Sequence, residues 1–147
     1  HFHGERVERE MLDQTDLAIL RLLSTNARLT WKEVGEQVHL TGQAVAGRIT
    51  RLQDLGVLKG FTVEVDQERL GRPLLAFVTV FMKSTDHEGF RTFLAGQSEV
   101  EEAFRVSGEG CYWLRVRCAS QQELTTFLDR TLRFGNYRVN LNLGQVK

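Results

Sequence analysis

The chain has 147 residues, 41% of them hydrophobic and 26% charged, enough apolar material for one ordinary domain or two small ones and far from a disordered composition. Its 19 basic and 19 acidic residues cancel, which denies it the strong overall field expected of a nucleic-acid or membrane binder. No apolar run approaches a bilayer span and no stretch reads as a secretory signal, so a cytoplasmic protein is expected, with no membrane partner.

Residues 1–10, HFHGERVERE, are polar and precede Met11; they read as a tag-like or disordered tail and are set apart from the fold. Asp13 is a good N-cap and Asp16 adds an acid to the first turn of a helix whose stripe is Leu17, Ile19, Leu20, Leu22 and Leu23. Thr30-Trp31-Lys32-Glu33 is a capping box opening a second helix, with Val34 and Val38 inward. Thr41 caps a third, where Val45, Ile49 and Leu52 fall at i, i+4 and i+7 and define a buried face. Gly56 stands where a helix C-terminus needs a left-handed residue. Residues 11–60 are therefore expected to form a helix-turn-helix unit, with His39-Leu40 as its turn.

Residues 57–65 favour a strand, and the span 61–73 is expected to be a strand and connector carrying Pro73, the single proline. Beyond it the period changes. Residues 74–82 form a continuous apolar strand, residues 88–95 a short helix with Phe90, Phe93 and Leu94 inward, and residues 100–106 a half-buried strand. A Gly108-Glu109-Gly110 turn leads into a strand over residues 111–118. Ser120 and Glu123 form another capping box, with Leu124, Phe127 and Leu128 inward, and residues 138–146 alternate as a last strand. The order βαββαβ predicts a ferredoxin-like domain over residues 74–147 and an α+β fold overall. One face of such a sheet lies bare of helices, so a second copy is expected to cover it. Trp113 should point away from Tyr112 and Leu114, toward a subunit contact in preference to the core.

The third helix presents Gln43, Ala44, Gly47, Arg48 and Arg51 opposite its apolar stripe. Gln can read adenine, Arg can read guanine or hold phosphate, and small residues let a helix sit deep in the major groove. Gly42 and Gly47 each cost the helix about 1 kcal/mol relative to alanine, which implies a need for close approach. The bland alternative is a solvated face with two arginines; the capped helix before it and the β-favouring segment behind it favour the DNA reading. Residues 41–60 carry Arg48, Arg51 and Lys59 against Asp54 alone, while residues 61–147 balance at eleven of each sign. Affinity comes largely from neutralised phosphates, so several copies would have to act together.

These residues carry a resemblance. Leu12-Asp13-x-x-Asp16-x-x-Ile19-Leu20, followed by Leu40-Thr41-x-x-x-Val45-x-x-Arg48-Ile49-x-x-Leu52-x-x-Leu55-Gly56-Val57-Leu58, resembles the Lrp/AsnC (feast/famine) family of transcription regulators. Val106-Ser107-Gly108-x-x-Cys111-Tyr112-x-Leu114 resembles a segment of that family's ligand-sensing domain. The resemblance covers nearly all of residues 11–147 and implies a winged or plain helix-turn-helix joined to a βαββαβ domain. It implies dimers that assemble further, commonly into octamers, on double-stranded DNA, and an amino-acid effector bound between dimers. It places Gln43, Ala44, Gly47, Arg48 and Arg51 against DNA, Trp31, Lys32 and Thr41 near phosphates, and Ser107, Gly108, Cys111 and Tyr112 at the effector loop. Thr41 replaces the family's usual serine, Gly42 its frequent proline and Gln53 its usual glutamate, none of which threatens the fold. Cys111 matters more, because many members have there an acidic residue that would pair with a ligand ammonium. Cysteine cannot supply that charge, which leaves a different ligand, weaker binding or a role in assembly alone.

Other chemistry is sparse. Cys111 and Cys118 on one strand would lie about 23 Å apart on opposite faces, too far to bridge. His1, His3, His39 and His87 are scattered, so no metal or catalytic set and no cofactor are expected. His39 reads as a turn residue, and His87, with Asp86 and Glu88, as a helix opening. Gly108 and Gly110 have no nucleotide-loop spacing, and nothing forms the phosphate cradle of an acylphosphatase-type hydrolase, so no enzyme is expected. The expected function is a sequence-specific, nucleoid-associated transcription regulator modulated by an amino acid or related small molecule. The alternative is an architectural protein that bends DNA with little sequence preference and no effector.

Overall fold

The computed structural model describes residues 12–108 and 110–147, so the tail lies outside the described residues. The chain divides into two compact units, one ending at Glu64 and the other beginning at Val65. The first holds three helices: α1 (Gln14–Thr25), α2 (Trp31–Val38) and α3 (Gly42–Asp54). Each begins on a side chain that satisfies an otherwise unpaired backbone N–H. The Asp16 N–H donates to Asp13 Oδ1 at 2.8 Å, and the Asp13 N–H returns a bond to Asp16 Oδ2 at 3.1 Å. Thr30 and Glu33 form the same reciprocal box on α2, and the Ala44 N–H donates to Thr41 Oγ1 at 3.1 Å on α3.

Between α2 and α3 His39 takes a left-handed conformation (φ 60°, ψ 43°), and both its N–H and that of Leu40 donate to the Gly35 carbonyl. That turn brings Val34 of α2 and Val45 and Ile49 of α3 together over Ile19 and Leu23 of α1 to form a small apolar core. After Gly56 (φ 76°) the Val57 and Leu58 N–H groups return to the Leu52 carbonyl, folding Leu58 back onto this core. The expected strand over residues 57–65 is not formed. Residues 61–65 alternate as Phe-Thr-Val-Glu-Val, but a strand needs a neighbour for its backbone groups, and the described residues provide none. Val63 accordingly stands 78% exposed.

The second unit is a four-stranded antiparallel sheet in the order β2-β3-β1-β4, from β1 (Leu74–Met82), β2 (Val100–Arg105), β3 (Tyr112–Cys118) and β4 (Gly135–Leu141). Helices α4 (His87–Ala95) and α5 (Gln121–Thr131) follow β1 and β3 and pack on one face, the ferredoxin-like arrangement. Ala76, Val78 and Val80 of β1 and Tyr112, Leu114, Val116 and Cys118 of β3 point into a core closed by Phe90, Leu94, Leu124, Phe127, Leu128 and Phe134. Phe90 is its hub, with ring centroids 4.8 Å from Tyr112 and 5.1 Å from Phe134.

Boundaries shift where partners run out. β4 spans Gly135–Leu141 instead of residues 138–146, because its register on β1 ends at Ala76↔Leu141 and only the Asn142 N–H reaches further, to Leu75. Leu143, past that end, is fully exposed. The strand expected from Cys111 begins at Tyr112. Strand β2 is more exposed than expected, since it is an edge strand with a bulge between Val100 and Glu102. Ser120 caps α5, but Glu123 returns to the Ala119 N–H in place of the N-cap residue's own.

Candidate nucleic-acid interface and ligand-domain site

The outward surface of the helix-turn-helix unit follows from which side of α3 is buried. With Val45, Ile49 and Leu52 inward, Gln43, Ala44, Gly47, Thr50, Gln53 and Asp54 are exposed. Gln43, Gly47 and Thr50, at i, i+4 and i+7, form one strip along the helix. Thr50 was legible from the same spacing but lacks the hydrogen-bonding reach that draws attention to Gln or Arg. Arg51 flanks the strip, its side chain 37% exposed and its Nη1 3.2 Å from Asp16 Oδ2.

The two glycines of α3 have different causes. A methyl group on Gly42 would lie 3.2 Å from the Lys32 backbone N, so the start of α3 is pressed against the first turn of α2. The close approach at Gly42 is thus made within the protein. A methyl on Gly47 would meet nothing within 4 Å, so nothing in the described structure calls for glycine there. The approach at Gly42 also sets two helix N-termini side by side, with Trp31, Lys32 and Thr41 exposed beside them. Helix N-termini carry free N–H groups and partial positive charge, which suits phosphate. The Glu33 carboxyl, held below its ordinary range first by the Thr30 N–H, stays ionised at this corner.

Arg48 departs from the expected outward face. It borders the buried side of α3, and its Nη1 lies 2.7 Å from both carboxylate oxygens of Asp13 and 3.1 Å from Asp16 Oδ1. Asp16 is only 1% exposed. The hydrogen bond from Arg48, and next the Asp16 N–H, hold the Asp13 carboxyl down to about 2, and the same bond to Asp13 raises the Arg48 guanidinium. The sequence places Asp13 and Arg48 35 residues apart, so nothing local announces the pair.

In the second unit the expected effector residues part company. Ser107 and Gly108 are exposed in the turn after β2, with Gly108 at φ 96°. Cys111 is half-buried and its backbone is tied on both sides, the N–H to the Val80 carbonyl and the carbonyl to the Val106 N–H. Tyr112 is buried, its hydroxyl hydrogen-bonded to His87 Nδ1 at 2.9 Å and its ring 5.3 Å from the Arg105 guanidinium. The ring borders a cleft of 390 Å³ between α4 and β2, lined also by Arg91, Leu94, Glu101, Glu102 and Arg105. Arg105 is directly opposite Tyr112 in the β2–β3 register, a relation that only strand pairing reveals. Cys118, on the buried face, has its thiol pushed up to about 11 by burial.

The helix-free face of the sheet carries Phe77 and Trp113 stacked at 5.2 Å, with Phe104 6.0 Å from Trp113. Trp113 therefore does point away from Tyr112 and Leu114. Beside this stripe Glu101 accepts hydrogen bonds from Arg115 and Arg117. Among the described residues no group of His, Cys, Asp or Glu is placed to hold a metal ion, and no helix is long and apolar enough to cross a membrane.

Known proteins share both units. An AsnC-type helix-turn-helix domain profile matches residues 12–53, and the Lrp/AsnC ligand binding domain profile matches residues 75–147. The HTH-type transcriptional regulator LrpB of Bacillus subtilis is 43% identical, over 92% of this chain and 91% of its own. LrpA of the same organism is 38% identical, over 92% of this chain and all of its own. Among solved structures, B. subtilis LrpC superposes with a TM-score of 0.88 at 29% identity, covering 92% of this chain and 97% of that one. A Neisseria meningitidis transcriptional regulator, crystallised as a complex with L-Met, gives 0.87 at 28% identity, covering 93% of each. Capped helices, the turn at His39, the ferredoxin-like sheet and these likenesses agree: the chain belongs to the Lrp/AsnC family of transcriptional regulators, an AsnC-type helix-turn-helix joined to an Lrp/AsnC ligand-binding domain.

Proposed function

We propose that the protein regulates transcription by reading specific DNA sequences with the strip Gln43, Gly47 and Thr50 of α3, flanked by Ala44 and Arg51. The observation that carries this reading is the strip itself: its N-terminal half is exposed, small or amide-bearing, and free of acidic residues until Asp54. Recognition helices use their N-terminal residues on base edges. Trp31, Lys32 and Thr41, beside the paired starts of α2 and α3, hold phosphates and set the register without adding sequence information. The protein acts in the cytoplasm on nucleoid DNA, without a catalytic step, as its relatives' names describe regulators.

Because the chain is electrically neutral, affinity depends on several copies, and the stripe Phe77, Trp113 and Phe104 supplies an apolar surface for a dimer. Assembly into octamers is the larger form of the same proposal. The ligand-binding domain takes an amino acid or a related small molecule. Arg91 and Arg105 at the cleft beside Tyr112 are suited to its carboxylate and Glu102 in the same lining to its ammonium, a countercharge that Cys111, outside that lining, does not offer.

Binding to a selected duplex and to an unrelated one tests the reading. Gln43→Ala and Thr50→Ala should relax base preference, at about 1–3 kcal/mol for each position read. Lys32→Ala should weaken binding to all sequences alike and reduce the salt slope by about 0.9. Unchanged preference in both strip variants would overturn the assignment of the strip. Equal competition by unrelated duplex against the parent protein would favour the architectural alternative.

A further inference from the structure

Arg48 lies on the helix that reads DNA, yet one of its nitrogens is surrounded by three carboxylate oxygens within 3.1 Å, two from Asp13 and one from Asp16. Those two carboxylates are also the reciprocal capping box of α1. Asp13 Oδ1, which starts α1, therefore also grips Arg48, six residues past the first residue of α3, and Asp16 Oδ2, its partner in the box, reaches Arg51. Asp16 meets Arg51 as well, so one nearly inaccessible carboxylate touches two successive turns of α3. The apolar core beneath, with five buried side chains, sets how far apart the helices lie. Burial of Val45, Ile49 and Leu52 sets which face of α3 turns inward, but apolar packing is non-directional and leaves the finer rotation within that face less tightly set. A charge-assisted bond has a direction. A rotation of α3 smaller than the step of about 100° between residues keeps that face buried yet shifts the Gln43–Gly47–Thr50 strip against the groove.

We propose that Arg48 is a positioning residue for DNA recognition: bound by Asp13 and Asp16, it fixes the rotation of α3 and is not itself a reader or a phosphate contact. This rests on the reading strip proposed above. The acidic pair then serves DNA binding although it would repel DNA if exposed to it.

Asp13→Asn separates this from direct contact by the sign of its effect. Asparagine remains a good N-cap, so the fold is kept while the grip on Arg48 weakens. If Arg48 touches DNA, removing a neighbouring negative charge frees the guanidinium and tightens binding. If Arg48 positions α3, the same change lowers affinity for the selected duplex several-fold, leaves affinity for unrelated duplex unchanged or higher, and so narrows the ratio between them. Arg48→Met and Asp16→Asn should each lower that ratio by tenfold or more, and the double variant should lower it by less than the product of the two, because they share the Arg48–Asp16 interaction while each also breaks one of its own. The salt slope on unrelated duplex should stay at the parent value in all of them.

Tighter binding of the selected duplex by Asp13→Asn, or a slope reduced by about one in Arg48→Met with Asp16→Asn unaffected, would overturn the proposal. Melting temperatures measured in parallel identify a variant that fails to fold, in which case Asp13→Asn decides. Gln43→Ala, run beside them, reports on the strip: unchanged preference there would remove the underlying reading, whatever Arg48 does.

Discussion

The two units solve the problem of a unique structure differently. The C-terminal sheet has thirteen buried residues in its core cluster, centred on Phe90 and its ring neighbours, and its inward-facing atoms are almost all apolar. The N-terminal unit has five, and makes up the shortfall with capping boxes and the Asp13–Asp16–Arg48–Arg51 network. A large interdigitated core fixes its elements closely by shape, whereas a small one turns each helix's apolar face inward with fewer contacts to set its orientation finely. Directional polar bonds then have to set what packing does not. In a helix-turn-helix the rotation of one helix decides which side chains reach the groove, so fold and function share the same few bonds.

Breaking the larger core should have the largest effect. Phe90→Ala removes the hub of the aromatic cluster and should cost the C-terminal unit about 3–5 kcal/mol in denaturant unfolding. Amide exchange across α1 to α3 should stay near the parent rate, since Phe90 belongs to a separate core. Equal loss of protection in both units would show that the cores are not energetically distinct.

In the smaller unit a cap should matter by about 1 kcal/mol. Thr41→Ala leaves the Ala44 N–H without its acceptor and should lower the stability of the N-terminal unit by that amount, with faster exchange at the start of α3. Gly47→Ala should have the opposite sign. With open space around that position, alanine should stabilise α3 by up to about 1 kcal/mol while weakening DNA binding. A gain in stability with unchanged binding would show that α3 does not need the close approach there.

The smallest effect is the acid response of the exposed member of the network. The Asp13 carboxyl is lowered in the folded chain from 3.8 to about 2. Its contribution is therefore complete above about pH 4 and is lost as the pH falls from there through about 2. Thermal melts across that window should lose an increment in the parent that Asp13→Asn lacks. An identical acid profile in the two proteins would mean that the pair with Arg48 adds nothing to stability.

Local chemistry made much of this legible beforehand. Helix starts at Asp13, Thr30 and Thr41, the end at Gly56, and the inward faces of α4 and α5 follow from capping and periodicity, which depend on residues a few positions apart. Segments that depend on a neighbour differ from their local pattern. Residues 61–65 have the alternation of a strand but no ladder partner among the described residues, and residues 143–146 alternate beyond the point where β1 can pair with them. The candidate sites divide in the same way. Gln43, Ala44 and Gly47 follow from the helical period, as Thr50 would have, whereas Arg105 joins Tyr112 only through strand register.

The sequence by itself determined the two units, their element order and the exposed strip of α3, because each is encoded in spacings shorter than a helix. It also located every member of the charged network without revealing that they meet. Only the tertiary structure decided that Arg48 turns to α1 and not outward, since its partners lie 32 and 35 residues away. The physical reason is that a guanidinium at the border of a buried face goes where carboxylates are, and folding determines where those carboxylates stand.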